Sequence, residues 1–171
     1  MSWYRLLHPR PVAILIAGRE KPNPMALSWH TPIDDEDQLL AVVIDKSNYT
    51  YRIIKEEGEF TLNFLPIDKL DIIWFCGTRS GREVDKISVL GLRLAEGVKI
   101  KTKHLQEALA YIECSVTKEI DFGETAIFIA KVVYWEASMH FDTIWKQQAR
   151  IAMHVGSKYF CTPSEYHKAK R

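Results

Sequence analysis

Three short runs carry most of the side chains that could do chemistry. Asp45-Lys46-Ser47-Asn48-Tyr49-Thr50-Tyr51 sets hydroxyls and a lysine where a helix should begin. A helix N-terminus has unpaired N–H groups and a partial positive charge, so Ser47, Asn48 and Thr50 could hold an anion there, with Lys46 adding charge. The same residues also read as a plain helix cap with Thr50 in solvent. Cys76-Gly77-Thr78-Arg79-Ser80-Gly81-Arg82-Glu83-Val84-Asp85-Lys86 is the second run. Gly81 permits close backbone approach, Arg82 can make paired bonds to phosphate oxygens, and Lys86 follows one helical turn later. Alone, its mixed charges better describe a solvated loop. In the third run, Pro24-Met25-Ala26-Leu27-Ser28-Trp29-His30-Thr31-Pro32, a hydroxyl at Ser28 stands beside the Trp29 ring on an apolar strand. Together the three runs suit a flat aromatic ligand that carries a phosphate.

Little else in the chain offers chemistry. No nucleophile with a paired base is evident. Cys76, Cys114 and Cys161 are widely spaced without a C-x-x-C, which argues against a disulfide framework and a zinc site. His30, His140 and His154 lack ligand spacing, so no metal is expected. Cys76 and Cys114 sit in apolar surroundings and read as inert core thiols.

The elements that must position these runs are mostly short strands. Val12 to Ala17, Met25 to Thr31 and Leu39 to Ile44 are apolar runs of strand length, separated by turn signals. Phe60, Leu62 and Phe64 alternate with polar neighbours, as do Ile112, Cys114 and Val116. Phe122-Gly123-Glu124 predicts a turn into Ile127 to Trp135 and hence a long hairpin. Helices are expected over Tyr49 to Glu57, capped by Ser47 or Asn48 and stopped by Gly58; over Lys69 to Phe75, capped by Asp68; and over Glu83 to Leu90. Six or seven strands with helices in the connections predict a mainly β fold, a closed or nearly closed antiparallel barrel.

Length and composition set the outer limits. A chain of 171 residues supports one domain with a substantial core. Hydrophobic residues at 47% and charged residues at 26% are globular values, with the basic tail from Tyr166 to Arg171 expected to fray. A net charge of +1, with aromatic and basic residues not interleaved, argues against nucleic acid as a partner. No run approaches the ~20 apolar residues of a membrane span, and the first residues lack signal-peptide character, so a cytoplasmic protein is expected.

The order and separation of the three runs resemble the flavin reductase-like family, the FMN-binding split barrels that include flavoredoxins. Arg10-Pro11-Val12, Gly58-Glu59-Phe60-Thr61-Leu62-Asn63, Glu107-Ala108-Leu109-Ala110-Tyr111-Ile112-Glu113-Cys114 and His154-Val155-Gly156-Ser157-Lys158-Tyr159 extend the resemblance over about residues 9 to 160 of one domain spanning 1–171. It implies an antiparallel split barrel and a homodimer whose site lies near the subunit interface. It also implies FMN as cofactor (FAD being possible), NAD(P)H as co-substrate, and free flavin or a redox protein as acceptor. It assigns Ser47, Asn48, Thr50, Ser80, Gly81, Arg82 and Lys86 to the phosphate, and the strand Met25, Ala26, Leu27, Ser28, Trp29 to the ring, much of whose edge would be read by backbone groups. Trp29 is either a ring wall or core packing. No catalytic side chain is implied, because the flavin carries the electrons. A carrier that exchanges electrons only with proteins, and a flavin-binding module without turnover, fit the same residues. Gly123-Glu124-Thr125 and Ala130-Lys131-Val132 depart from the family's usual pattern, which often has a histidine at the first of these turns.

Overall fold

The computed structural model describes residues 2–169. Twelve strands and three α-helices follow in the order β1 (Arg10–Pro11), β2 (Ala13–Ala17), β3 (Asn23–Leu27), β4 (His30–Asp34), β5 (Leu39–Asp45), α1 (Tyr49–Glu57), β6 (Glu59–Phe64), α2 (Leu70–Thr78), α3 (Lys86–Leu90), β7 (Leu94–Ala95), β8 (His104–Leu105), β9 (Ala110–Phe122), β10 (Thr125–Ala137), β11 (Met153–Gly156) and β12 (Tyr159–Cys161). Seven of them form one antiparallel sheet in the order β3-β2-β6-β9-β10-β5-β4. Its two edges, β3 and β4, are consecutive in the chain with only Ser28 and Trp29 between them. Three peptide steps reach at most ~10 Å, so the edges must meet and the sheet must curl into a barrel. The mainly β, antiparallel barrel expected from the sequence is the fold.

Alternation along β2 explains why its sequence is uninterruptedly apolar. Ala13, Leu15 and Ala17 point into the barrel with Val42, Ile44, Phe60, Leu62, Cys114 and Phe128. Val12, Ile14 and Ile16 point outward, under α2 and the segment after α3, against Leu65, Ile73, Cys76 and Leu92. A strand covered on both faces loses the polar half of its pattern. The barrel has two mouths. β5 ends and β6 begins at one of them, and there α1 packs Ile53 and Ile54 into the interior core. At the other mouth β5 begins and β6 ends, and none of the described residues that line it belongs to a helix.

Helix α1 has the expected bounds. Its C-cap, Gly58, has φ +70° and donates its N–H to the Ile54 carbonyl. A Cβ built at Gly58 meets nothing within 4 Å, so a substitution there costs backbone strain alone. Gly58→Ala is expected to lower unfolding free energy by about 1 kcal/mol in urea titration, with the spectrum of the folded state unchanged. The hairpin also forms as expected: Phe122 pairs with Thr125 across Gly123-Glu124, and Asp121 Oδ1 accepts the Gly123 N–H at 2.7 Å.

Three expectations need correction. The strand read as Met25 to Thr31 is two strands, broken at Ser28-Trp29 where the chain crosses the barrel seam. Asp68 does not cap α2; it lies inside a 3-10 turn, Ile67–Lys69, that leads into Leu70. Helix α3 starts at Lys86, three residues after the predicted Glu83, because the Asp85 carboxylate accepts the Ile87 and Ser88 N–H groups and sets the N-terminus there. Residues 162–169 have no regular structure, and Lys170 and Arg171 of the basic tail lie outside the described residues.

Two buried carboxylates hold the long connection before β8. Glu113 accepts the N–H groups of Val98, Lys99 and Ile100, and Glu59 accepts those of Lys101 and Thr102 as well as the Thr102 hydroxyl. Burial alone would push the Glu59 carboxyl up, but the Arg19 and Thr102 donors outweigh it and hold it below its ordinary value. These two glutamates belong to the runs that carried the resemblance, and their work is structural.

Candidate functional site

The N-terminus of α1, the β3 edge and the loop after α2 converge on one polar cavity of about 360 Å³. Met25, Ser47, Asn48, Thr50, Ser80, Gly81, Arg82 and Lys86 all line it, although they come from three separate runs. At the head of α1 neither Ser47 nor Asn48 gives its side chain to the first turn, so the expected cap is absent and the first N–H groups are left facing the cavity. Thr50 is buried, and its Oγ1 accepts from Asn23 Nδ2 at 2.8 Å, which leaves the threonine proton for another acceptor.

The loop after α2 is fitted closely against this helix end. Arg82 donates from Nη1 to the Ser47 carbonyl at 2.8 Å, and its guanidinium lies over the Tyr49 ring at 5.6 Å. One edge of the fork is thereby fixed, and the remaining donors stay available to an anion. Gly81 passes so near β3 that a Cβ would fall 1.8 Å from Asn23 Oδ1 and 3.1 Å from the Tyr49 ring. No other residue type fits there without moving Asn23. The charge expected from Lys46 is engaged elsewhere, in an ion pair with Asp121.

Lys86 lines the cavity from a buried position. It is 3% exposed, and its Nζ donates to the Pro24 carbonyl at 2.6 Å and to the Cys76 carbonyl at 3.3 Å. Burial lowers its affinity for the proton. Lys86 therefore ties the β3 edge to the end of α2 from beneath the cavity. The Cys76 thiol beside it is pushed up to about 11 by burial, and burial also raises the Cys114 thiol, in keeping with inert core thiols.

A second, smaller cavity of about 180 Å³ adjoins the first, with Gly77 and Thr78 lining both. Ala26 and Ser28 face it from the β3 edge; Trp74 of α2 and His154 and Phe160 of the closing strands complete it. Backbone direction matters here. In an antiparallel strand a residue's N–H and C=O point to the same side, alternating along the chain. The Pro24 carbonyl points away from β2 toward Lys86, so the N–H and C=O of Ala26, two residues on, also face the unpaired edge. Ala26 can thus donate and accept along the rim of a flat ring.

Not every expected ring residue lies here. Leu27 is buried in the barrel interior, and Trp29 packs on that core and edge-on against Tyr4 at 5.3 Å, so the Trp29 indole is packing rather than a wall of either cavity. Sequence reasoning missed Asn23, Tyr49, Gly77, Thr78, Trp74 and Phe160. Asn23 was hidden in a turn-like Lys21-Pro22-Asn23-Pro24, and Trp74 among the apolar residues of α2. The arrangement is an anion cradle joined to a slot with an apolar wall and a backbone edge.

The chain matches the flavin reductase like domain over residues 4–151. It belongs to the flavin reductase-like family. An Archaeoglobus fulgidus protein of uncharacterized role is 37% identical over 128 residues, covering 75% of this chain and 72% of that one. Among solved structures, the FMN-binding protein from Thermus thermophilus superposes with a TM-score of 0.89 at 22% identity, covering 99% of this chain and 95% of that one. The flavoredoxin from Methanosarcina acetivorans superposes with a TM-score of 0.86 at 25% identity, covering 94% and 88%. The fold is the FMN-binding split barrel of these flavin reductase-like proteins.

Proposed function

We propose that this chain binds FMN, with its phosphate in the polar cavity and its ring in the adjoining slot, and that it works as an oxidoreductase. The carrying observation is the continuity of the two cavities past Gly77 and Thr78. The phosphate end has donors of the right kind: the head of α1, the Thr50 hydroxyl, the free edge of Arg82 and the hydroxyls of Ser47 and Ser80. Gly81 supports the fit, since any side chain there would intrude on the cradle. When bound, the flavin supplies the capacity to accept a hydride from a nicotinamide and to pass electrons on singly or in pairs. The chain's own part is to orient the ring against the Ala26 edge, with Ser28 and His154 at the slot and Met25 in the adjoining cavity.

NADH or NADPH is the proposed donor, and free flavin or a redox protein the acceptor; FAD could replace FMN in a slot open to solvent. A homodimer is proposed as well. Trp3 and Leu6 are 74% and 88% exposed on the N-terminal turn, next to Tyr4 and His8, and His8 packs on His154 of the slot. An apolar patch beside the ring cavity is where a second copy would close it off from water.

A second reading has support of its own: a flavoredoxin is among the similar structures, and an electron carrier needs the same cradle. An absorption spectrum of the FMN-saturated protein, taken without oxygen before and after NADH and then NADPH, separates the two. Bleaching faster than that of free FMN is the expected result. A perturbed band that stays oxidised would assign the chain to the carriers, and no perturbation by FMN would refute the flavin site.

A further inference from the structure

We propose that the open mouth of the barrel is a second ligand site, suited to an organic cation with an apolar or aromatic body. This mouth, opposite α1, holds a cavity of about 450 Å³, larger than either part of the flavin site and sharing no lining residue with them. Its floor is the end of the interior core, with Leu40 and Leu62. A small barrel normally fills this volume with its own side chains or leaves room for one ligand.

The walls specify the ligand. Four aromatic rings follow one another around the cavity: Phe64 to Trp145 at 6.4 Å, Trp145 to Phe141 at 5.2 Å, and Phe141 to Trp135 at 6.3 Å between centroids. Ring faces attract a desolvated cation, tryptophan most strongly. The formal charges in the lining are all negative, from Asp34, Asp35 and Glu136, with no lysine or arginine among the lining residues. Glu136 is the best placed. Its Oε2 accepts from the Tyr111 and Tyr134 hydroxyls at 3.1 and 3.3 Å, while its Oε1 takes none of the hydrogen bonds among the described residues. His30, also in the lining, has its Nε2 engaged by the Pro11 carbonyl at 3.0 Å and is held toward its neutral form by burial. An anion such as a flavin phosphate meets three carboxylates here and no cationic side chain in the lining, the nearby Arg10 guanidinium being tied to the His30 carbonyl at 2.8 Å. A quaternary or protonated amine meets both the rings and the charge.

Benzyltrimethylammonium, titrated against intrinsic tryptophan fluorescence of the full chain, tests this directly. Saturable quenching is expected, with affinity at least about tenfold above that of the neutral isostere neopentylbenzene. Trp145→Ala should abolish the quenching. The more conservative Glu136→Gln, at an exposed side chain, should weaken the cation about tenfold, leave neopentylbenzene unchanged and leave FMN affinity unchanged. Equal affinity for the two probes, or an unaffected Glu136→Gln variant, would overturn the charge selection. Quenching that appears only on dilution of the protein would mean that a second copy covers this mouth, and would overturn the proposal as a whole. Because FMN binding is read separately, failure here and failure of the flavin site are distinguishable.

Discussion

Lys86→Met is expected to lower the free energy of unfolding by about 2 kcal/mol and to weaken FMN binding at the same time. Methionine keeps the length and apolar stem of the side chain, so the loss is that of the ammonium. Its removal leaves the Pro24 and Cys76 carbonyls without their donor in a buried place. Each such acceptor costs roughly 1–3 kcal/mol, and relief from burying an unpaired charge returns part of that. A urea titration reads the stability, and FMN affinity is then measured well below the transition, where the variant is folded. The binding loss follows from geometry: without the ammonium, the β3 edge and the end of α2 are no longer clamped, and both line the polar cavity proposed to take the phosphate. An unchanged urea midpoint would mean that Lys86 is not the clamp between them.

Arg82→Ala should give the complementary result. The guanidinium is exposed, makes one hydrogen bond to the Ser47 carbonyl and lies over Tyr49, so its loss should move the urea midpoint little. A charge-assisted contact to phosphate is worth roughly 1.5–3 kcal/mol, so FMN affinity should fall about tenfold or more. Riboflavin, which lacks the phosphate, should bind the variant and the parent chain alike. Equal FMN affinity in the two proteins would place the phosphate away from Arg82. The pair of variants thereby separates a residue that touches the ligand from one that shapes its bed.

The contrast between these two side chains also shows where the sequence is legible. Helix α1 and the β9–β10 hairpin were readable because their ends are local events: Gly58 stops the one, and Gly123-Glu124 turns the other. The convergence of the polar runs on one cavity was readable because hydroxyls, a glycine and an arginine keep their chemistry wherever they are placed. The burial of Lys86 was not legible, because its neighbours Arg82, Glu83 and Asp85 make the run look solvated, whereas that burial is decided by β3, a strand distant in the chain. The break at Ser28-Trp29 is likewise invisible locally, since the apolar pattern continues across it and only the meeting of sheet edges demands it. The aromatic mouth was not foreseen either. Phe64 lies far along the chain from Trp135, Phe141 and Trp145, and no periodic pattern marks the last three as one wall.

The seam at Ser28-Trp29 has a kinetic consequence. Most barrels close by pairing a first strand with a last, a contact between distant parts of the chain whose loop entropy must be met before any bond forms. Here the closing edges are joined covalently, so the seam itself costs almost no chain entropy. The slow steps of folding must lie instead in the long-range ladders, Ala13 with Phe64, Glu59 with Ser115 and Asp45 with Thr125, which bring β2 to β6, β6 to β9 and β5 to β10. A variant with a flexible insertion of about ten residues between Ser28 and Trp29 would keep every one of those ladders at nearly its present sequence separation and loosen only the tether. Its refolding rate, set beside that of the parent chain, would measure how much the tether contributes to the speed at which the barrel forms.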